Sequence, residues 1–403
     1  MEILKYLIFL FEIIIFGYLA LNICYFFLFA FASLFKQRKK LIQFQNERKI
    51  AILIPGYRED TVIIETVSAA YMQDYPSDKF DVIVIADTFK DETIASLKEF
   101  PITVFPINLG EGRTKAQALN YTMEKLQYGY DIALVLDADN IIEPKFLSKI
   151  NNAFNRGFHV VQGHRVAKNM NNSMAVLDAI SEEINNKIYR KGHCNLGLPS
   201  GLIGSGMAFE YKLFYSVMKE IHAVGGFDKE LELRLAQQKW PIAYVEDALV
   251  YDEKVHKSTE FKNQRRRWLA AQFVYLRRFF KPAIVDLFKS GNIFFFDKLL
   301  QMALLPRILL LGVVTMLFIF RILAYFLLNG QEFDLLFGVE AWTYLFTGVI
   351  FIFLFAIPPK FYKLKTLVAL MSLPKTFLIM FLLLFKLKGA NRRFIHTSHG
   401  VNE

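Results

Sequence analysis

The sequence predicts an α/β domain held between apolar helical segments. Three observations carry that expectation. Apolar residues are unevenly spread over the 403 residues: the stretch 7–34 is almost unbroken, apolar runs dominate 302–385, and 36–280 carries an ordinary share of charge. Within 36–280, β-branched apolar runs alternate with stretches of helical spacing, the pattern of a mainly parallel sheet covered on both faces. Several of those runs end in polar residues, and open α/β sheets bind ligands beyond the carboxyl ends of their strands.

Taken in order, KIAILIPGY (49–57), FDVIVIADT (80–88), ITVFPIN (102–108) and DIALVLDADN (131–140) read as buried strands. Helical spacing begins near Glu59, Asp91 and Thr114. FHVVQGHR (158–165) is a further strand, followed by a polar helix near 171–191 and the glycine-rich GLPSGLIGSGMAFEY (197–211). A helix near 228–239 and a strand-like PIAYVEDALVYDEKV (241–255) close the domain. There is no internal repeat and no low-complexity linker.

At 54% hydrophobic residues, the chain is too apolar for a soluble protein of its size. Residues 1–35 read as an uncleaved transmembrane anchor. A signal peptide carries its positive charge before an apolar core of about 7–15 residues, whereas here Lys36, Arg38, Lys39 and Lys40 follow a longer run. Roughly 20 apolar residues span a bilayer. The positive-inside rule then places residues 36–280 in the cytoplasm. Much of the net charge of +10 flanks the apolar runs in this way, and no nucleic-acid-binding motif accompanies it; nucleic acid is therefore excluded as a partner.

Glu12 inside the anchor is expected to face another helix or lie near the interface. Cys24 lies in the anchor and Cys194 in the domain, which fits a reducing compartment without a disulfide. Residues 281–301 read as an amphipathic helix on the membrane surface, and 302–358 as two spans. In 359–403, Pro374 and Lys375 interrupt the last apolar stretch and lysines flank both ends. That favours an interfacial or re-entrant helix with a basic tail. The whole reads as a multi-pass protein of a bacterial inner (plasma) membrane.

Several motifs carry chemistry. In LVLDADN an extended chain would project Asp137 and Asp139 together, with Ala138 pointing back. Paired carboxylates at a sheet mouth suit Mg²⁺ or Mn²⁺ shared with substrate phosphates, although an Asp- and Asn-rich turn needs no metal. In IPGYRED (54–60), Pro55 and Gly56 turn the chain, Tyr57 could cradle a nucleobase, and Glu59 could open the next helix. Asp87 could bond a base or ribose, or cap a helix. GEGRTKAQALN (110–120) brings Lys115 to a helix start, where phosphate is favoured. QRRRW (264–268) combines phosphate-binding arginines with an aromatic face for a sugar. GGFDKELELRL (225–235) reads equally as a helix with an N-cap Asp and an acidic first turn. Glu246 and Asp247 read as strand-end residues, His159 and His164 as packing or surface residues, and RRFIHTSHG (392–400) as no metal site.

Together, IPGYRE, the lone Asp87, TKAQALN, LDADN, GSGM (204–207), GGFDKELELRL and QRRRW resemble, in order, the processive membrane-embedded glycosyltransferases of family 2. These include the cellulose, hyaluronan, chitin and poly-N-acetylglucosamine synthases. The resemblance covers 49–268 and, more loosely, the flanking helices. It implies a GT-A (Rossmann-like) domain in which Pro55, Tyr57, Glu59, Asp87, Lys115 and Asp137 bind a UDP-sugar, with Asp139 and Asp137 on the metal. It also implies Asp228 as the general base, with Glu230 or Glu232 if the register differs, since Phe227 stands where the family has an acidic residue. Gln264, Arg267, Trp268, Gly204 and Gly206 would bind diphosphate and acceptor, leaving Arg265 and Arg266 to the membrane surface. The C-terminal segment would return to cover the site.

The activity so implied is inverting elongation of a β-linked polysaccharide that is passed outward. Similarity to chitin-oligomer synthases favours UDP-N-acetylglucosamine. The small membrane part would then call for a homo-oligomer or export partner. Ceramide glucosyltransferase-like enzymes carry similar motifs, so single-sugar transfer to a lipid acceptor is the alternative. A non-catalytic transporter or scaffold is the remaining one.

Overall fold

The computed structural model describes residues 2–36, 46–108, 114–126, 129–221, 225–254, 258–327 and 336–387. An apolar helix α1 (Glu2–Ala32) leads into an α/β core. The core runs β1 (Ile50–Tyr57), α2 (Ile63–Tyr71), β2 (Phe80–Asp87), α3 (Asp91–Leu97), β3 (Thr103–Ile107), α4 (Lys115–Leu126), β4 (Ile132–Val135), β5 (Ile141–Ile142) and α5 (Phe146–Asn155). Then come β6 (Val160–Ala167), α6 (Ser173–Asn185), a π-helical segment (Asn186–Gly192), α7 (His193–Asn195), β7 (Met207–Glu210), α8 (Tyr211–Met218), α9 (Phe227–Gln237) and β8 (Ala243–Asp252).

The eight strands form one sheet in the order β3-β2-β1-β4-β7-β6-β8-β5. Strands β3, β2, β1 and β4 are parallel, and Ile50–Ile54 is fully buried, as a strand covered on both faces requires. In the second half β6 and β8 pair in parallel, and two strands, β7 and β5, depart from the parallel expectation. β7 runs antiparallel to both β4 and β6, and β5 antiparallel to β8. The sheet is therefore mixed. Pro55 is tolerated in β1 because pairing with β4 stops at Leu53, which leaves no ladder on that side to interrupt.

Helix α10 (Ser258–Ser290) runs unbroken through residue 280, where the soluble and interfacial parts were expected to divide. It is followed by α11 (Ile293–Ala303), α12 (Arg307–Leu327), α13 (Val339–Ala356), α14 (Leu364–Leu370) and α15 (Leu373–Leu384). Among the described residues, three helices, α1, α12 and α13, are long and apolar enough to cross a membrane, and α14 with α15 form a pair bent by 40°. Pro374 sits in the first turn of α15, where its missing N–H costs nothing. Glu12 does face another helix: Arg321 of α12 lies 3.8 Å away, and the Leu336 N–H donates to the same carboxylate at 2.8 Å.

The polar helix α6 and its π-helical extension seat the apolar helices. Val176, Ile180, Ile184 and Ile188 join one apolar cluster with Leu19, Phe26 and Phe29 of α1, Leu310 and Val314 of α12, and Trp342 and Val349 of α13. At the crossing, a Cβ on Gly192 would stand 2.2 Å from the Phe29 carbonyl oxygen, so only glycine permits this approach. The opposite face of α6 buries charge in pairs. Glu182 accepts from Arg165 at 2.8 Å and Arg190 at 3.3 Å. Burial alone would raise its carboxyl, but Arg165, Lys254 and Arg190 hold it well below the usual range.

Candidate active site

The carboxyl ends of β1 and β2 make one side of the site. Tyr57 and Asp87 are register partners at the ends of these strands. Both strands turn away through left-handed, non-glycine residues, Arg58 (φ 56°) and Thr88 (φ 58°), a conformation that clusters where function demands it. The Arg58 N–H donates to the Asp87 carbonyl at 3.1 Å, and the Thr88 hydroxyl donates to the Asp87 carboxylate at 2.9 Å. Asp87 caps no helix, since α3 begins after Lys90. Nor does Glu59 open one: α2 starts at Ile63, and the Glu59 carbonyl instead accepts from Val62 and Ile63. Gly56 packs under Phe89, whose ring would meet a Cβ at 2.7 Å.

Asp137 and Asp139 lie on one turn. β4 ends at Val135, and the Asn140 N–H closes onto the Asp137 carbonyl at 3.1 Å. The extended-chain expectation is thereby corrected, although Ala138 does point into the core. Asn140 donates to Asp139 at 3.0 Å. The Asp137 N–H donates to the buried Ser205 hydroxyl at 2.9 Å, which ties this turn to the glycine-rich loop. Lys115 pairs with the Asp137 carboxylate and also donates to the Gly204 carbonyl at 3.0 Å. Its ammonium is presented by α4, whose start is capped reciprocally. The Thr114 hydroxyl accepts from the Gln117 N–H at 3.3 Å, and the Gln117 side chain accepts from the Thr114 N–H at 3.0 Å, a capping box. Residues 110–113 of that motif lie outside the described residues.

Asp228 occupies the first turn of α9, and the N-cap is Gly226 in the left-handed region (φ 66°). The N-cap role expected for Asp228 is thus taken by a glycine, leaving the carboxylate to face the site. Gly226 is needed for a second reason: Ala271 and Tyr275 of α10 press against it, at 3.3 and 3.7 Å from where a Cβ would be. Phe227, standing where an acidic neighbour was expected, lays its ring 5.3 Å from the Lys115 ammonium. Burial raises the Asp228 carboxyl above its ordinary value, and Glu232 adds to this, against the opposing charges of Lys229 and Lys115. The two fallback residues are occupied elsewhere. Glu230 is buried between Arg234 and Arg278, and Glu232 between Lys229 and Lys298.

A cavity of about 1260 Å³ opens from Lys115, Gly204 and Asp228 and runs towards the apolar helices. Gln264, Arg267 and Trp268 of α10 line it, and the Gln264 side-chain carbonyl is buried without a hydrogen-bond partner. Burial lowers the Arg267 guanidinium. Arg265 does not serve the membrane surface: it pairs with Asp178 of α6 and stacks on Trp268 at 4.3 Å, because i and i+3 share a helix face. Arg266 donates to the Lys386 carbonyl beyond α15 at 2.6 Å. Farther out the cavity wall becomes apolar, with Ile308 and Leu311 of α12, Phe353 of α13, and Leu370 and Ile379 of α14 and α15. Tyr57, Asp87, Asp137 and Asp139 lie outside it, so Lys115 and Gly204 stand where the two compartments meet.

The family model for Glycosyltransferase like family 2 matches residues 47–271, more than half of the chain. The chain belongs to this family. A probable glycosyltransferase, YdaM of Bacillus subtilis, is 33% identical over 103 residues, covering 24% of each chain. A β-monoglucosyldiacylglycerol synthase of Synechocystis is 23% identical over 233 residues, covering 55% of this chain and 47% of the relative. The chain thus matches about half or less of the length of these curated relatives. Among solved structures, a mannosyltransferase of Pyrobaculum calidifontis, determined with GDP-mannose and Mn²⁺, shares the fold. It has a TM-score of 0.51 at 17% identity, covering 87% of this chain and 97% of the other.

This glycosyltransferase also uses residues that the sequence did not single out. Gln162 of β6 accepts from the Ile203 N–H at 3.2 Å and donates to the Ser205 and Gly206 carbonyls at 3.0 and 3.2 Å, fixing the loop that carries Gly204. Its neighbour in the motif, Gly206 (φ 60°), accommodates Val250, which a Cβ would meet at 2.5 Å. A glutamine on a strand carries no signal of this kind. Glu246 and Asp247 lie mid-strand in β8, where the pairing with β6 shifts register, and Glu246 is held by Lys187 and Lys191. His159 pairs with Glu210 and His164 with Glu183. The C-terminal residues 388–403 lie outside the described residues.

Proposed function

We propose that this protein is a multi-pass membrane glycosyltransferase that transfers one sugar, with inversion, from a UDP-sugar to the hydroxyl group of a membrane lipid. The observation that carries this reading is the cavity. It begins at a carboxylate suited to accept a proton and ends between apolar side chains of α12, α13, α14 and α15. A lipid acceptor needs both: its hydroxyl at Asp228 and its hydrocarbon against Ile308, Leu311 and Phe353. The relative whose name describes synthesis of a glucosylated diacylglycerol agrees with a lipid acceptor.

Asp137 and Asp139 carry carboxylates on one turn, and Lys115 already pairs with Asp137. They fit Mg²⁺ or Mn²⁺ completed by diphosphate oxygens; such an ion, when bound, would neutralise the leaving diphosphate. Tyr57, Glu59 and Asp87 with Pro55 would hold the uridine, and Lys115 the diphosphate. Asp228 would take the acceptor proton as the acceptor oxygen bonds to the anomeric carbon and the bond from that carbon to the diphosphate oxygen breaks. UDP then leaves with the electron pair. Gln264, Arg267 and Trp268 would orient acceptor and diphosphate.

Elongation of a polysaccharide passed outward has less support. The space between α1, α12 and α13 is filled by Leu310, Val314, Trp342, Val349 and Ile352, so that activity would need a second copy or an export partner. The test is nucleotide release from purified protein in nanodiscs, with UDP-glucose, UDP-N-acetylglucosamine, UDP-glucuronate or GDP-mannose and Mg²⁺ or Mn²⁺. Diacylglycerol or ceramide would be present or absent, and products sized by mass. UDP release that depends on lipid and yields a one-sugar product supports the proposal. A long product formed without added lipid would overturn it in favour of a polymer synthase.

A further inference from the structure

We infer that Glu232 and Lys298 are positioning residues that lock the proposed base helix and the Gly204 loop to the interfacial helix α11. The inference rests on Asp228 being the base. Glu232 sits one turn after Asp228 on α9, and its side chain is 1% exposed. One carboxylate oxygen accepts from the Leu202 N–H at 3.2 Å and from Lys229 at 2.9 Å, and Lys229 also donates to the Leu202 carbonyl at 3.2 Å. Both backbone polar groups of Leu202 are thus gripped from α9, two residues before the carbonyl that receives Lys115. The other oxygen lies 2.9 Å from Lys298, an ion-pair contact.

Lys298 comes from α11 and is fully buried. Its ammonium also donates to the Pro199 and Ser200 carbonyls at 2.8 and 3.2 Å. Burying such a pair is costly unless its hydrogen bonds are made, and here the ammonium makes two, to carbonyls, beside its ion-pair contact with Glu232. Packing alone would be served by apolar side chains at both positions. What the pair adds is a direction: α9, the 199–204 loop and α11 cannot move independently, so the distance from Asp228 to Gly204 is set by the helix that borders the membrane cluster. Misplacement by about 1 Å costs on the order of 10²-fold in rate.

The groups facing Asp228 are Lys229 and Glu232 from α9, Lys115 from α4 with Asp137 behind it, and Tyr275 from α10. Glu232 stays ionised: burial would raise it, but Lys229 and Lys298 bring it down to about 2. Its negative charge therefore faces the base. In the nanodisc assay, Glu232→Gln is expected to lower kcat about tenfold or more, with the donor KM within about threefold. The acid limb of kcat/KM should move down by roughly half to one pH unit, because a negative charge beside Asp228 is gone.

The double variant Glu232→Leu/Lys298→Met removes both charges and carries the test if the single variant does not fold. It should keep its thermal midpoint yet stay slow. Wild-type kcat in that double variant, or wild-type kcat and pH profile in Glu232→Gln, would overturn the inference. Activity in Asp228→Asn would instead overturn the reading beneath it.

Discussion

The two compartments of the site are built by different means. On the proposed nucleotide side, Tyr57 and Asp87 sit at strand ends and Asp137 on the turn after β4, and their positions are dictated by backbone: sheet register, two left-handed turns and a turn closed by Asn140. On the acceptor side, Asp228, Gln264, Arg267 and Trp268 come from helices, and their positions depend on side-chain packing against α11 and the apolar helices. The difference teaches that the donor half suits a ligand of constant shape. The acceptor half is where chains of one family can diverge.

The sharpest break in this comparison is at the junction. Asp228→Asn should abolish proton acceptance and lower kcat by about 10²–10⁴-fold while leaving nucleotide binding intact, read by turnover and by calorimetric titration of UDP. Equal loss of both would mean that the two compartments are not separable.

Next, Asp139→Ala should remove Mn²⁺-dependent UDP binding, with a loss of about tenfold or more in affinity, and leave lipid binding unchanged. Then, Leu311→Trp should narrow the apolar end and raise the acceptor KM several-fold, with the donor KM unchanged. An equal rise in both would blur the division. A smaller effect concerns pH. With Asp228 as the proposed base, activity would need it ionised, and its carboxyl is raised by burial. The rate should therefore fall as pH drops through a value above the ordinary aspartate figure of about 3.9, as a kcat/KM profile would report.

The last test leaves chemistry aside. Gly192→Ala would force a Cβ to within 2.2 Å of the Phe29 carbonyl oxygen and should cost about 1–3 kcal/mol by overpacking. A lowered thermal midpoint in nanodiscs, with the donor KM unchanged, is the expected outcome.

Much of the donor half was legible because its signals are local. Strand runs with polar ends, a helix start after Thr114 and two aspartates two apart can each be read within ten residues. Where reading failed, the error came from assuming the local rule persists. Asp137 and Asp139 do not follow strand alternation, since β4 stops at Val135. The boundary expected at residue 280 falls inside one helix, since α10 continues past it with Pro282 inside.

By itself, the sequence determined the alternation of strand and helix, the apolar helices, the family motifs and the candidate carboxylates, because periodicity and short-range turn chemistry are properties of neighbouring residues. Tertiary structure alone decided which carboxylate faces the cavity. Asp228, Glu230 and Glu232 stand within five residues of one another, and only the cations arriving from Arg278, Lys229 and Lys298 take two of them out of contention. It also decided the partners of Arg265, the contacts of Gln162 and the antiparallel placement of β5 and β7. Each of these depends on groups tens to hundreds of residues apart, brought together by burial of a common core, and no local pattern encodes which of them will meet.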